Sequence, residues 1–275
     1  MRIERIDDPS DPRLADYRNL RDPHLRRQHG LFIAESREVV RRLLSCRRFR
    51  VRSILLTPAA LDGLHDLLET ADPDIPLLLV QHDLVRGVVG FNFHRGCVAV
   101  GERGDEIPPS ALLEPPGRRL LLVLEDVTNP DNIGAVFRNA MAFAADGILL
   151  SPGSADPLYR KAIRVSIGAS LSLPFARLPD WPEDLKALRG AGYSIMALTP
   201  HPEAVDVVEF GTSRTVPERL ALLLGAEGSG LSTAARATAD HEVRIAMRRE
   251  ADSLNVATAC GIALHRLARG TSAPL

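Results

Sequence analysis

A chain of 275 residues with 45% hydrophobic and 25% charged residues is long enough for two domains and has an ordinary globular composition, which excludes disordered and fibrous classes. No stretch reaches the roughly 20 apolar residues of a membrane span, and Met1-Arg-Ile-Glu-Arg-Ile-Asp-Asp lacks the apolar run of a signal peptide, so a cytoplasmic location is expected. The net charge of −1 hides an uneven distribution, because residues 1–52 hold 14 Arg against 8 acids, residues 53–105 hold 3 Arg against 8 acids, and residues 106–275 hold 17 Lys and Arg against 19 acids.

The basic start contains the first predicted helix, from Ala34 to Leu44, with Val39, Val40, Leu43 and Leu44 at helical spacing and Arg37, Arg41 and Arg42 on other faces. Apolar runs at 51–57, 77–80 and 97–100 predict strands, separated by helical segments at 59–70 and 83–88. Residues 1–105 therefore form a compact αβ module. Two Pro-Pro pairs and flanking glycines between Gly104 and Gly117 interrupt every periodicity, which predicts a linker over 106–117.

Residues 118–275 predict a second domain. The run Leu120–Leu124 precedes a loop and then a helix over Ile133–Ala145, and further apolar runs follow at 147–150, 193–198, 220–224 and 241–247. Strands alternating with helices imply an α/β fold, a mostly parallel sheet with helices on both faces. Ligands of such sheets bind outside the carboxyl ends of the strands, which directs attention to the segments after Leu124, Leu198, Leu224 and Met247. Cys46, Cys97 and Cys260 are odd in number and too far apart for a CxxC pair, so they are expected as small buried hydrophobes, with no metal site and no disulfide.

Three segments could carry chemistry. In Glu125-Asp-Val-Thr-Asn-Pro-Asp-Asn-Ile-Gly-Ala-Val-Phe-Arg-Asn-Ala140, Asn132 suits the cap of the following helix, and Arg138 falls within its first two turns. A plain cap and a solvated arginine would equally account for them. In Leu222-Leu-Leu-Gly-Ala-Glu-Gly-Ser-Gly-Leu231, an apolar strand ends in three glycines within six positions, which permit positive φ and close backbone approach. This is neither a GxGxxG dinucleotide turn nor a GK[ST] phosphate loop, so a nucleotide-dependent oxidoreductase is disfavoured. Glu227 in its middle suits a hydroxyl-rich or cationic ligand better than a phosphate; a flexible turn is the alternative. In Ile245-Ala-Met-Arg-Arg-Glu-Ala-Asp-Ser-Leu-Asn-Val256, Ser253 or Asp252 can cap a helix with Val256, Cys260, Ala263, Leu264 and Leu267 as its buried stripe. A cap at either place leaves Asn255, a moderate helix former, unexplained in the first turn.

Together these segments resemble the SpoU, or TrmH, family of RNA ribose 2′-O-methyltransferases, through N-P-x-N-x-G-x-x-x-R-x-A from Asn129 to Ala140, L-G-x-E-G-x-G-L from Leu224 to Leu231, and I-x-M with S-L-N-V from Ile245 to Val256. The first 105 residues also look like the L30e-like substrate-binding domain that precedes many such catalytic domains, from the Arg-rich helix through Phe93-His-Arg-Gly-Cys-Val-Ala99. The chain departs from the family pattern at Ala246, where proline is usual, at Ser36 and Arg249, where glycine is, and at Arg95, where glutamine is common.

The resemblance implies S-adenosylmethionine as cofactor, held in a carboxyl-terminal trefoil knot by the backbone around Leu198, Thr199, Gly225, Ile245 and Leu254, and a homodimer formed through the catalytic domain. It implies catalytic roles for Arg138, Asn132, Glu227, Ser253 and Asn255. A guanidinium is ordinarily not a base, so either a substrate phosphate takes the ribose proton while Arg138 holds both groups, or Arg138 stabilises the developing alkoxide. The RNA itself is expected to meet Arg26, Arg27, Arg37, Arg41 and Arg42 of the basic segment. An amino-terminal module of this type favours ribosomal RNA, 23S in particular, over transfer RNA. The other alternative is a non-catalytic RNA-binding protein that keeps the fold.

Overall fold

The structure, a computed structural model, describes residues 3–18, 30–69, 71–89, 96–213, 216–248 and 253–267; Arg26, Arg27, Arg95, Arg249 and Asp252 lie outside the described residues. The chain divides into two compact units, Met1–Glu106 with Leu158–Ser172, and Ile107–Pro157 with Leu173–Leu275. Among the described residues no helix is long and apolar enough to cross a membrane.

The first unit is built on five strands, β1 (Ile3–Ile6), β2 (Leu31–Glu35), β3 (Arg50–Leu56), β4 (Leu77–Val80) and β5 (Cys97–Glu102), in the order β1-β4-β3-β5-β2. β1, β4 and β3 run parallel, and β5 is antiparallel to both β3 and β2. One face buries Ile33, Leu55, Leu78, Val98 and Val100 against Leu14 and Tyr17 of a short 3-10 helix, Pro12–Tyr17, and against Val85 of the helix His82–Val89. Burial raises the Tyr17 phenol well above its usual range, and its hydroxyl is satisfied by Ser53 Oγ at 2.7 Å.

The sequence places a helix from Ala34, but the chain is strand through Glu35 and helical only from Arg37 to Ser45. Leu31–Glu35 are all buried and pair with Val98–Glu102, so cross-strand packing overrides the helical spacing that begins at Val39. The predicted helix over 59–70 is likewise two short ones, Pro58–Asp62 and His65–Leu68, interrupted at Gly63. The segment Leu158–Ser172 joins this unit through short helices, Arg160–Val165 and Ala169–Ser172. Arg160 donates to the buried Glu35 carboxylate at 2.7 Å, and the Cys46 thiol donates to the Leu171 carbonyl at 3.0 Å.

The second unit carries a seven-stranded sheet of β6 (Arg119–Leu124), β7 (Gly147–Leu150), β8 (Phe175–Arg177), β9 (Ser194–Leu198), β10 (Val205–Asp206), β11 (Arg219–Leu224) and β12 (His241–Arg244). The order is β10-β12-β9-β11-β6-β7-β8, with every pair parallel. At its centre, Leu121, Val123, Ala221 and Leu223 pack on one side with Leu112, Leu185 and Leu188, while the alternating Leu122, Leu124, Leu222 and Leu224 are equally buried on the other. Burial on both faces is why these strands read as unbroken apolar runs. The strand order turns between β6 and β11, the place where a doubly covered parallel sheet opens a crevice at its carboxyl ends.

The tract expected as a linker is anchored. Pro109 starts a short helix, Pro109–Leu113, at the position where a missing N–H costs nothing, and Leu112 and Leu113 enter the core. Arg219 ties the same stretch down by donating to the carbonyls of Leu113 and Pro115. Prolines that break a periodic pattern here begin a helix.

Candidate active site

A cavity of about 350 Å³ opens at the carboxyl ends of β9, β11 and β12. Its walls include Leu198, Thr199, Gly225, Ile245 and Leu254, and also Glu227, Ser253 and Asn255, so eight of the ten cofactor and catalytic candidates share one space. The size suits a small organic ligand, and the lining is mostly apolar with few polar groups, as such sites require. Pro200 and Ala259 line it as well without having been singled out; Pro200 lies two residues past β9, and Ala259 is one helical turn beyond Asn255.

The glycine loop folds tightly over itself. A Cβ on Gly225 would stand 2.3 Å from the Gly230 carbonyl carbon and 2.4 Å from the Leu231 nitrogen, so two stretches of backbone pass where any side chain would be. Gly228 and Gly230 hold φ of 87° and 68°, a region glycine enters without strain. The end of the loop is fastened by Glu125, a buried carboxylate just past β6, which accepts from the Ser232 N–H at 2.8 Å and from Trp181 Nε1 at 2.6 Å. Ser232 in turn caps the helix Thr233–Ala237. Glu125 is not among the expected site residues, and its one signal in the sequence is an acid at the mouth of a fully apolar strand.

Asn255 is the centre of the polar cluster. Its Oδ1 accepts from the N–H groups of Ala257 and Thr258 at 2.9 and 3.2 Å, which caps the helix Val256–Leu267. Its Nδ2 donates to Asn132 Oδ1 at 2.9 Å and to Glu227 Oε1 at 2.8 Å. The cap expected at Ser253 or Asp252 is therefore Asn255 itself, because a short amide can satisfy two helix donors while its amino group reaches across to two other segments.

The helix Pro130–Ala142 corrects a second expectation. Asn129 is its cap, accepting from the Asp131 N–H at 2.9 Å, with Pro130 at the first position. Asn132 instead lies inside the first turn, buried, and its Nδ2 has no partner among the described residues. A buried donor without an acceptor costs stability unless something supplies one. Seven residues on, Asn139 occupies the same face and donates to the Ala257 carbonyl at 2.7 Å, which locks this helix to Val256–Leu267.

Arg138, one residue off that face, is exposed, does not line the cavity and makes no hydrogen bond to Asn132, Glu227, Ser253 or Asn255. Within one chain, the fold gathers the carboxamides and the acid but leaves the guanidinium apart. In the first unit, Arg37 is exposed, whereas Arg41 donates twice to Asp66, at 2.7 and 2.9 Å, and to the Gly63 carbonyl at 2.8 Å. That engagement raises the Arg41 pKa and commits its fork within the unit. Burial pushes the thiols of Cys97 and Cys260 up to about 12.

Fold and cavity define an α/β protein with a cofactor-sized site at the strand ends, bordered by an Asn-Asn-Glu cluster. Residues 119–265 match the profile of the SpoU rRNA Methylase family. The chain is 40% identical to an uncharacterized tRNA/rRNA methyltransferase of Mycobacterium bovis, across 97% of this chain and 92% of the relative. It belongs to the SpoU rRNA methylase family. Among solved structures it is similar to the SpoU methyltransferase AviRb of Streptomyces viridochromogenes in complex with the cofactor AdoMet, at 26% identity and a TM-score of 0.80 over 94% of this chain and 98% of that one. An RNA 2′-O ribose methyltransferase superposes with a TM-score of 0.77 at 25% identity, covering 96% of this chain and 98% of that chain.

Proposed function

We propose that this protein methylates a ribose 2′-hydroxyl of structured RNA, with 23S ribosomal RNA as the favoured substrate, using S-adenosylmethionine, and that it does so in the cytoplasm. The observation that carries the reading is Asn255, which joins Asn132 to Glu227 beside a cavity whose wall holds the five residues expected to contact the cofactor.

Bound there, S-adenosylmethionine would supply an electrophilic methyl group on a positively charged sulfur. The residues fit it. Ile245 and Leu254 offer apolar walls for an adenine, the backbone at Leu198, Thr199 and Gly225 offers its N–H and C=O edges, and the absence of a side chain at Gly225 keeps the loop closed. The carboxyl-terminal part of this unit would make the trefoil knot of the family. The orphaned Nδ2 of Asn132 would donate to a ribose or phosphate oxygen, and Glu227 and Ser253 would orient the sugar. Positioning matters most, because a ribose hydroxyl is a weak nucleophile until aligned and deprotonated.

Arg138 would act from a homodimer. The helices Pro130–Ala142 and Val256–Leu267 leave Met141 41% and Ile262 37% exposed, an apolar face for a second copy, and Arg138 shares a helix face with Met141. The guanidinium would stabilise the developing alkoxide or hold a phosphate that takes the proton. The first unit would act as an L30e-like RNA-binding module, with Arg37 and Arg42 meeting phosphate.

The test is incubation with tritiated S-adenosylmethionine and unmodified 16S, 23S or transfer RNA transcripts, followed by alkaline hydrolysis. Alkali-resistant labelled dinucleotides from 23S RNA are expected. Label confined to bases, or none, would overturn the reading, and label on transfer RNA alone would move the substrate. Arg138→Ala should lower turnover about a hundredfold or more while cofactor still binds. Turnover near the parent's would remove Arg138 from the chemistry.

A further inference from the structure

The helix Arg160–Val165 ends in a Schellman motif: the Ile167 N–H bonds to the Arg164 carbonyl at 3.1 Å and the Gly168 N–H to the Ile163 carbonyl at 2.8 Å. The residue after the cap in this motif takes a left-handed backbone and is usually glycine. Here it is Ile167, with φ of 50°, although the next residue is a glycine. A β-branched side chain at positive φ is strained. Burial does not offset the strain, since Ile167 is 37% exposed.

The surroundings of Ile167 are cationic. The segment 158–172 contains Arg160, Lys161 and Arg164 and no acid. Arg160 is turned inward to Glu35, but Lys161 and Arg164, three residues apart on one helix face, are both exposed. The stem of Arg42 lies against Gly168, where an added Cβ would be 3.2 Å from its Cδ. An exposed aliphatic side chain held up by a strained cap, one turn beyond the exposed Arg164, has the chemistry of a single-stranded RNA contact. An unstacked base meets the apolar tip, and the Arg164 guanidinium meets the adjoining phosphate.

We propose that the knuckle Arg164–Gly168 is an RNA-binding element, with Ile167 packed against an unpaired base of the substrate and Arg164 on its backbone. This rests on the methyltransferase reading above and adds a contact site to it. The strain makes the test sharp, because replacing Ile167 by glycine improves the cap while deleting the contact.

Ile167→Gly, Ile167→Leu and Arg164→Gln would be compared with the parent for melting temperature, S-adenosylmethionine affinity, oligomeric mass, and affinity for 16S, 23S and transfer RNA transcripts across a salt series. Ile167→Gly is expected to melt higher, bind S-adenosylmethionine as the parent does, and lose roughly tenfold in affinity for the transcript the parent prefers, as for one lost base contact. Ile167→Leu should retain most of that affinity. Arg164→Gln should weaken binding and lower the salt slope by about one. Parental RNA affinity in Ile167→Gly would overturn the proposal, as would a lower melting temperature or a changed oligomeric mass, which would assign Ile167 to the core or to a second copy. A parent protein that methylates none of the transcripts would instead overturn the functional reading itself.

Discussion

The two units each begin a helix with a short polar residue, and the two caps could hardly be less alike. Ser36 opens the helix Arg37–Ser45 at φ of 94°, buried, with its hydroxyl 3.4 Å from the Val39 N–H. Asn255 opens Val256–Leu267 with two N–H groups on its carbonyl and two further bonds from its amide. The first cap is a long bond on a strained backbone; the second satisfies its helix and organises a site at once. The spare hydrogen-bonding capacity of Asn255 faces a cavity, whereas Ser36 is buried in a core.

The largest effect that would break this contrast lies next to Asn255. Gly225→Ala pushes a methyl into the backbone of Gly230 and Leu231, so a loss of about 2–4 kcal/mol is expected by chemical denaturation, with cofactor binding abolished. A variant that stays within 0.5 kcal/mol of the parent would mean that the loop can open. Next comes Asn255→Ala, expected to cost about 1–2 kcal/mol as a lost cap and to disconnect Asn132 from Glu227. Asn255→Ser separates the two roles. Its hydroxyl can still cap but lacks the amide that reaches Asn132 and Glu227, so the melting temperature should fall less than in Asn255→Ala while methyl transfer collapses.

A smaller effect of opposite sign is expected in the first unit. Ser36→Gly relieves the backbone strain and gives up only a weak cap, so a gain of about 1 kcal/mol follows, less the entropy glycine adds to the unfolded chain. A loss would show that the 3.4 Å bond outweighs the strain.

The smallest effect concerns the buried thiols, one in each unit. Cys97 and Cys260 are raised from 9.0 to about 12, so below pH 9 they stay neutral whether folded or not. As pH rises from 9 toward 12 the unfolded thiols ionise first, and the stability they lend is lost progressively. In native protein at pH 8 iodoacetamide should label Cys46 alone. In rising urea, the order in which Cys97 and Cys260 become labelled reports which unit opens first, read by mass spectrometry.

Much of the second unit was legible because its strands are buried on both faces. Runs such as Leu120–Leu124 and Leu220–Leu224 match their observed strands to within a residue, and the glycine loop and the Ile245 segment follow strand ends as the parallel sheet requires. The first unit was harder. The helix expected from Ala34 takes in Ala34 and Glu35, the last two residues of β2, because no break in the sequence separates them from the Arg37 helix, and β1, with only Ile6 buried, gives too weak an alternation to find. The site was legible as a set of residues but not as a set of bonds. Asn132 and Ser253 were read as caps, yet Asn129 and Asn255 do the capping, because several neighbouring polar residues are equally competent and only the chain's path selects between them. Arg41 was grouped with its neighbours on one helix, and only the position of Asp66, 25 residues away, takes its guanidinium out of play.

The sequence alone determined the alternation of apolar runs, and with it the parallel sheet of the second unit, since hydrophobic burial is proportional to apolar surface and is written locally. It also determined the chemical inventory at the strand ends. Tertiary structure decided which members of that inventory meet. Asn255 is brought within 3 Å of Asn132 and of Glu227 across separations of 123 and 28 residues, Glu125 grips Ser232 over 107, and Arg138 is turned about 120° around its helix from Asn132. Hydrogen bonds act over a few ångströms and depend on angle, so their partners follow from the path of the whole backbone rather than from any local run of residues.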